Sequence, residues 1–192
     1  MLTIPVSRAT RAVFVAAGLA GLMALAACNP TFNWREVRPD NTPLSLLLPC
    51  KPDKAEKSVA LAGQLAQLQM QGCDAGGATF AVAVATLADV SRAQAALAEW
   101  QQLTLVNMKA GPVGTGAGGT QVVPFRPSGM VAGPPALMVK AQGSRVDGRA
   151  VAGHAAYFSR GAQLFQVVLY ADTINAEVAE TFFSSLKFEP VP

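Results

Sequence analysis

The side chains of this chain that could act as nucleophile, proton carrier or metal ligand are few: three cysteines, Cys28, Cys50 and Cys73, and a single histidine, His154. One histidine restricts any general base, catalytic triad or imidazole metal site to one residue. It lies between Gly153 and Ala155 in a strand-like stretch with no Gly-x-Ser-x-Gly elsewhere, so it reads as a structural or surface histidine. The cysteines lack Cys-x-x-Cys spacing, and zinc would need ligands this chain hardly holds. Gly114-Thr115-Gly116-Ala117-Gly118-Gly119 matches a dinucleotide fingerprint literally. It follows a helical segment instead of a strand, opens no helix and lacks an acidic residue about 20 positions on, so loop composition explains it better. The carboxylates Glu36, Asp53, Asp74, Asp89, Glu99 and Asp147 fall at turns, caps or helix surfaces, and nothing pairs them as a glycosidase would. No catalytic residue, cofactor-binding residue or metal ligand is assigned, and no cofactor is expected.

Cys28 belongs to a different chemistry. Arg8 and Arg11 precede an apolar run over residues 12–24, which ends in Leu25-Ala26-Ala27-Cys28. Positive charge, a short apolar stretch and small residues together make a secretory signal. The run is short for a membrane span, which takes about 20 apolar residues. Leu25-Ala26-Ala27-Cys28 closely resembles the lipobox of bacterial lipoproteins. That resemblance implies that residues 1–27 are a lipoprotein signal peptide, that Cys28 is the lipid attachment site, and that residues 28–32 are a tether. More than one acyl chain gives stable anchoring where one alone is marginal. Asn29 is not the aspartate of inner-membrane retention, so the expected address is the outer membrane, facing the periplasm. The alternatives are a plain signal peptide with an incidental cysteine, or an uncleaved anchor helix.

With Cys28 assigned to lipid, Cys50 and Cys73 remain for an oxidising compartment, and a disulfide between them is the default. Setting aside Arg8 and Arg11, the 15 basic residues of the whole chain fall to 13 against 12 acidic ones, a balance of +1. The basic residues are scattered from Arg35 to Lys187, so no nucleic-acid partner is expected.

The elements read as short strands alternating with two helices. Strands are predicted over 33–38 and 44–48, the second stopped by Pro49. The mixed charges Lys51, Asp53, Lys54, Glu56 and Lys57 suggest an exposed connection, and residues 59–70 look extended, with Ala66, Leu68 and Met70 alternating with Gln67, Gln69 and Gln71. In the strand over 79–87, Phe80, Val82 and Val84 share one face, while Ala81, Ala83 and Ala85 make a smooth face on which a helix can lie close. That helix follows: Ser91-Arg92-Ala93-Gln94 fits a capping box, and Ala93, Ala96, Leu97, Trp100, Leu103 and Val106 or Asn107 form its apolar stripe. Residues 111–135 then break the pattern, since 12 of these 25 are glycine or proline, with only Gln121-Val122-Val123 resembling a strand. A meander follows over 136–144, 149–159 and 163–171, turning at Asp147-Gly148 and Arg160-Gly161. Tyr157, Phe158, Phe165 and Tyr170 read as core and cross-strand pairs. Residues 172–175 offer caps for a second helix carrying Val178, Phe182, Phe183 and Leu186.

Helices on an antiparallel sheet make one α+β domain over 33–188. Leu46-Leu47-Leu48-Pro49, the segment Tyr157-Phe158-Ser159-Arg160-Gly161-Ala162-Gln163-Leu164-Phe165-Gln166 and the terminal Phe182-Phe183-Ser184-Ser185-Leu186-Lys187-Phe188 resemble the Mog1/PsbP-like fold. The resemblance implies an α/β/α sandwich used as an accessory or binding module, lends no catalytic residues, and does not include the cysteine pair.

The expected function is therefore a lipid-anchored, non-enzymatic envelope module that binds a periplasmic protein or envelope component. A recognition role for the loop at 111–135 would rest on Val122, Val123, Phe125, Arg126 and Met130. The alternative is a hydrolase, or a carrier of a small apolar ligand, at the envelope surface. Polar groups meeting His154 in a pocket would favour the hydrolase, and a large apolar cavity between sheet and helix would favour the carrier.

Overall fold

Alternation along a strand sends successive side chains to opposite faces of a sheet. The computed structural model, which describes residues 31–111, 113–114, 119–131, 133 and 136–189, is built on that rule. Cys28 and the signal-like segment lie outside the described residues, as do residues 115–118 of the glycine run. In chain order the strands are β1 (Arg35–Val37), β2 (Leu44–Leu48), β3 (Asp53–Leu61), β4 (Gln64–Ala75), β5 (Ala78–Thr86), β6 (Gln121–Pro124), β7 (Leu137–Ser144), β8 (Ala150–Arg160), β9 (Gln163–Ala171) and β10 (Lys187–Phe188). The helices are α1 (Ala93–Asn107) and α2 (Ala176–Ser184). The architecture is α+β, dominated by antiparallel sheet, and the chain from Phe32 onward forms one compact unit.

Seven strands make the main sheet in the order β3-β4-β5-β9-β8-β7-β6, and a small sheet has the order β1-β2-β10. Ala83 and Ala85 pack with Ala96, Leu97 and Trp100 of α1, as the smooth alanine face of β5 predicts. Phe80, Val82 and Val84, on the other face, pack with Leu44, Leu46 and Leu48 of β2 and with Phe182 of α2. Phe80 and Phe182 meet edge to face at 5.2 Å, and the cross-strand pair Phe158 and Phe165 stacks at 5.2 Å between centroids. Asn175 caps α2, its side chain accepting from the backbone N–H groups of Glu177 and Val178.

Four local readings are corrected. The charged stretch after Pro49 is not a connection: β3 occupies it as an exposed edge strand paired along its length with β4. The hairpin between them turns at Ala62 and Gly63, with φ of 50° and 74°. Both positions of such a turn are left-handed, which glycine adopts freely and alanine does not, so Ala62-Gly63 is a weak signal in sequence. The start of α1 has no Ser91 capping box: its N-cap position is Arg92, with no side-chain cap, and Asp89 instead caps the 3₁₀ turn Val90–Arg92 ahead of it, its carboxylate accepting from Ser91 N at 2.9 Å. In the stripe of α1, Thr104 and Leu105 are buried while Leu103 and Val106 are exposed. Residues 111–135 are also less free than their composition suggests. Here β6 is an edge strand on β7, Ser128 bridges to Lys187, and Val123, Phe125 and Met130 pack against the aromatic core.

Cys50, just past β2, is disulfide-bonded to Cys73 on β4, with Cα atoms 6.0 Å apart. This is the pairing expected from the sequence, and it ties the small sheet to the large one. Among the described residues no helix is long and apolar enough to cross a membrane.

Candidate functional site

Helix α1 covers only part of its face of the main sheet. Beyond it lies an open groove of about 820 Å³, within the range of about 300–1,000 Å³ typical of small-molecule sites. Its floor includes Leu68 and Met70 of β4, Ala83 of β5 and Tyr170 of β9; its walls are α1, the β3 edge and the turn between β7 and β8.

The local sequence explains the opening. Alanines on β5 let α1 sit low, and Gly143 on β7 admits the end of the helix, because a Cβ there would collide with the Met108 carbonyl. Ser144 N donates to that same carbonyl at 2.7 Å. Held at this point, α1 directs Trp100, Thr104 and Met108 toward the sheet and leaves Leu103 on the groove wall, 44% exposed. Val146, at the tip of the opposite turn, is 98% exposed and lines the same groove. Apolar side chains at the edge of an apolar concavity mark a surface suited to binding.

Polar side chains share the lining with the apolar ones, Thr104, Asn107, Gln166 and Tyr170 among them. Gln166 Nε2 donates to Thr104 Oγ1 at 2.8 Å and to Tyr157 Oη at 3.0 Å, and Thr104 Oγ1 donates to the Trp100 carbonyl at 2.9 Å. Burial pushes the Tyr170 phenol well above its ordinary pKa, with a contribution from Tyr157, so it stays a neutral hydroxyl. Arg145 reaches the groove from the β7–β8 turn; its Nη2 donates to Asp172 at 3.1 Å, while its Nε is buried without a partner. Asp147, on the same turn, is engaged by Arg149 through Nε at 2.7 Å and the backbone N–H at 3.1 Å. The backbone and side-chain hydrogen bonds from Arg149 hold its carboxyl below the usual range.

His154 is not part of this site. It pairs in register with Lys140 and Leu169 and lies 6.3 Å from the Phe183 ring, on the face that carries α2. Burial, reinforced by the Lys140 ammonium, lowers its pKa to about 4. Among the described residues no group of three or more His, Cys, Asp or Glu side chains is placed to hold a metal ion. Of the loop residues singled out in sequence, Val123, Phe125 and Met130 are partly buried against the domain's own core, while Val122 and Arg126 remain exposed. None of the five lines the groove.

Sequence reasoning placed Trp100 and Tyr170 in the core. Both are largely buried and also line the groove. Arg145 and Thr104 carry no signal in the sequence and Gln166 enters it only within the Mog1/PsbP-like segment, because each is an ordinary polar residue until the fold brings it beside the others.

No protein family matches this chain, and no curated protein matches it. Among solved structures it is similar to a crystal structure of a protein of unknown function, PA94, from Pseudomonas aeruginosa. That likeness has 15% sequence identity and a TM-score of 0.34, covering 72% of this chain and 83% of the other.

Proposed function

We propose that this protein is a lipid-anchored envelope protein, attached through Cys28 to the periplasmic face of the outer membrane, whose Mog1/PsbP-like domain binds rather than catalyses. Its site is the groove beside α1, which makes it a carrier or sensor of an apolar ligand on behalf of an envelope component. The groove itself is the observation that carries this reading: a concavity of about 820 Å³ with Leu68, Met70, Trp100 and Leu103 on its surface. The position of His154 on the opposite face favours the carrier over the hydrolase, because no imidazole reaches a molecule held there. Of the five loop residues, Val122 and Arg126 are the exposed ones left for a protein partner.

Two measurements test it. Cells fed a fatty-acid probe should label the wild-type protein and not Cys28→Ala; absence of label on the wild type overturns the anchor. Phenylnaphthylamine, a neutral fluorophore that brightens in apolar surroundings, should bind the full-length protein and lose affinity in Leu103→Asp. No binding to the wild-type protein overturns the carrier reading.

A further inference from the structure

An apolar groove accepts many molecules, and its charged rim selects among them. The charged side chains that line this groove are Lys57, Arg145 and Asp147. Lys57 stands on the β3 edge in register with Leu68, and makes no ion pair among the described residues. Arg145 stands on the opposing turn. Asp172 takes only Nη2; Nη1 makes no hydrogen bond among the described residues, and Nε is buried without an acceptor. The buried Nε is closed to a ligand in the groove, which leaves Nη1 as the free donor, and a guanidinium with a free donor fits a charged carboxylate better than any neutral group. Tyr170 lines the same groove, and burial keeps its phenol neutral, so it adds no negative charge there.

Asp147 limits how much negative charge the rim tolerates. Its oxygens are held by Arg149, but its charge remains beside the groove, and that of Asp172 lies against Arg145. One negative charge is compensated by Lys57 and Arg145, whereas a phosphate dianion would be repelled by the two carboxylates.

We infer that the groove holds a long-chain fatty carboxylate, with its acyl chain over Leu61, Leu68, Met70, Trp100 and Leu103 and its head group between Arg145 and Lys57. This rests on the carrier reading and specifies its ligand. The neutral hydroxyl of a fatty alcohol offers no charge to the guanidinium, so head-group recognition separates otherwise identical chains. A hydrogen bond to a charged group contributes roughly 1.5–3 kcal/mol, which corresponds to about tenfold to a hundredfold in affinity.

The test uses full-length protein loaded with phenylnaphthylamine and competed with hexadecanoate or hexadecanol at neutral pH. Hexadecanoate should displace the dye at concentrations about tenfold or more below those needed for hexadecanol. Arg145→Gln should remove that preference by weakening hexadecanoate, and Asp172→Ala, which releases Nη2, should preserve or increase it. If Arg145→Gln does not fold, as judged by its thermal melt, Lys57→Gln serves instead, because an exposed lysine can be replaced without disturbing the core; it should weaken hexadecanoate selectively. Equal displacement by acid and alcohol, or a preference unaffected by a folded Arg145→Gln or by Lys57→Gln, overturns the carboxylate assignment and leaves the apolar groove standing. Failure of the dye and both competitors to bind removes the groove reading itself.

Discussion

Gln166 on β9 and Thr104 on α1, 62 residues apart in sequence, are joined by a hydrogen bond of 2.8 Å from Nε2 to Oγ1. Thr104 passes the link on to the Trp100 carbonyl, and Gln166 also donates to Tyr157, so one side-chain network fastens the helix to the sheet at the groove. Polar groups this far inside are costly when a partner is removed.

Thr104→Val keeps the side-chain shape and deletes the hydroxyl. It should lower stability by about 1–3 kcal/mol, read from the midpoint of urea unfolding at unchanged slope. A variant indistinguishable from wild type would show that the network does not hold α1 in place.

The disulfide closes a sequence separation of 23 residues. Restricting the unfolded chain in this way contributes roughly 3–4 kcal/mol in the chain-entropy description. The double variant Cys50→Ser, Cys73→Ser should lose stability of that order, and the native protein should resist alkylation at both positions. Two reactive thiols in the native protein would contradict the bridge.

His154 gives folding a pH dependence of defined sign. Its pKa is about 4 in the folded protein, against about 6.5 for a free imidazole. Between these values the unfolded chain takes up a proton that the folded chain refuses. Stability is therefore full above about pH 6.5 and falls as the pH drops toward 4. Subtracting the profile of His154→Gln from that of wild type should isolate this loss from the carboxylates that titrate lower, and a flat difference across the window would remove it.

Phe125 lies 6.0 Å from the Phe183 ring and 6.4 Å from Phe158, whereas its neighbour Arg126 is exposed. Phe125→Ala should destabilise the domain by about 2–3 kcal/mol, somewhat below the full-burial range for this replacement, while Arg126→Ala should change stability by less than about 0.5 kcal/mol. Equal effects in thermal melts would show that this segment is not seated on the core.

Local periodicity made several elements legible from the sequence by itself. The two faces of β5 follow from the period of two; the turns at Gly148 and Gly161, both with positive φ, follow from glycine; and the cap at Asn175 follows from side-chain geometry. The Cys50–Cys73 pairing follows from an even pair of thiols in the expected oxidising compartment. The hairpin at Ala62-Gly63 was hidden because one of its left-handed positions carries alanine and because β3 shows edge-strand charges instead of an apolar alternation. Only the tertiary structure decided the pairing of β5 with β9, the placement of β10 beside β2, and the docking of Phe125. The groove belongs to the same class. Lys57, Leu103, Arg145 and Tyr170 come from four separate elements, each locally consistent with an ordinary edge, stripe, turn or strand. No short-range pattern encodes their meeting, because it depends on how far α1 reaches across the sheet, and that reach is set by packing between residues distant in sequence.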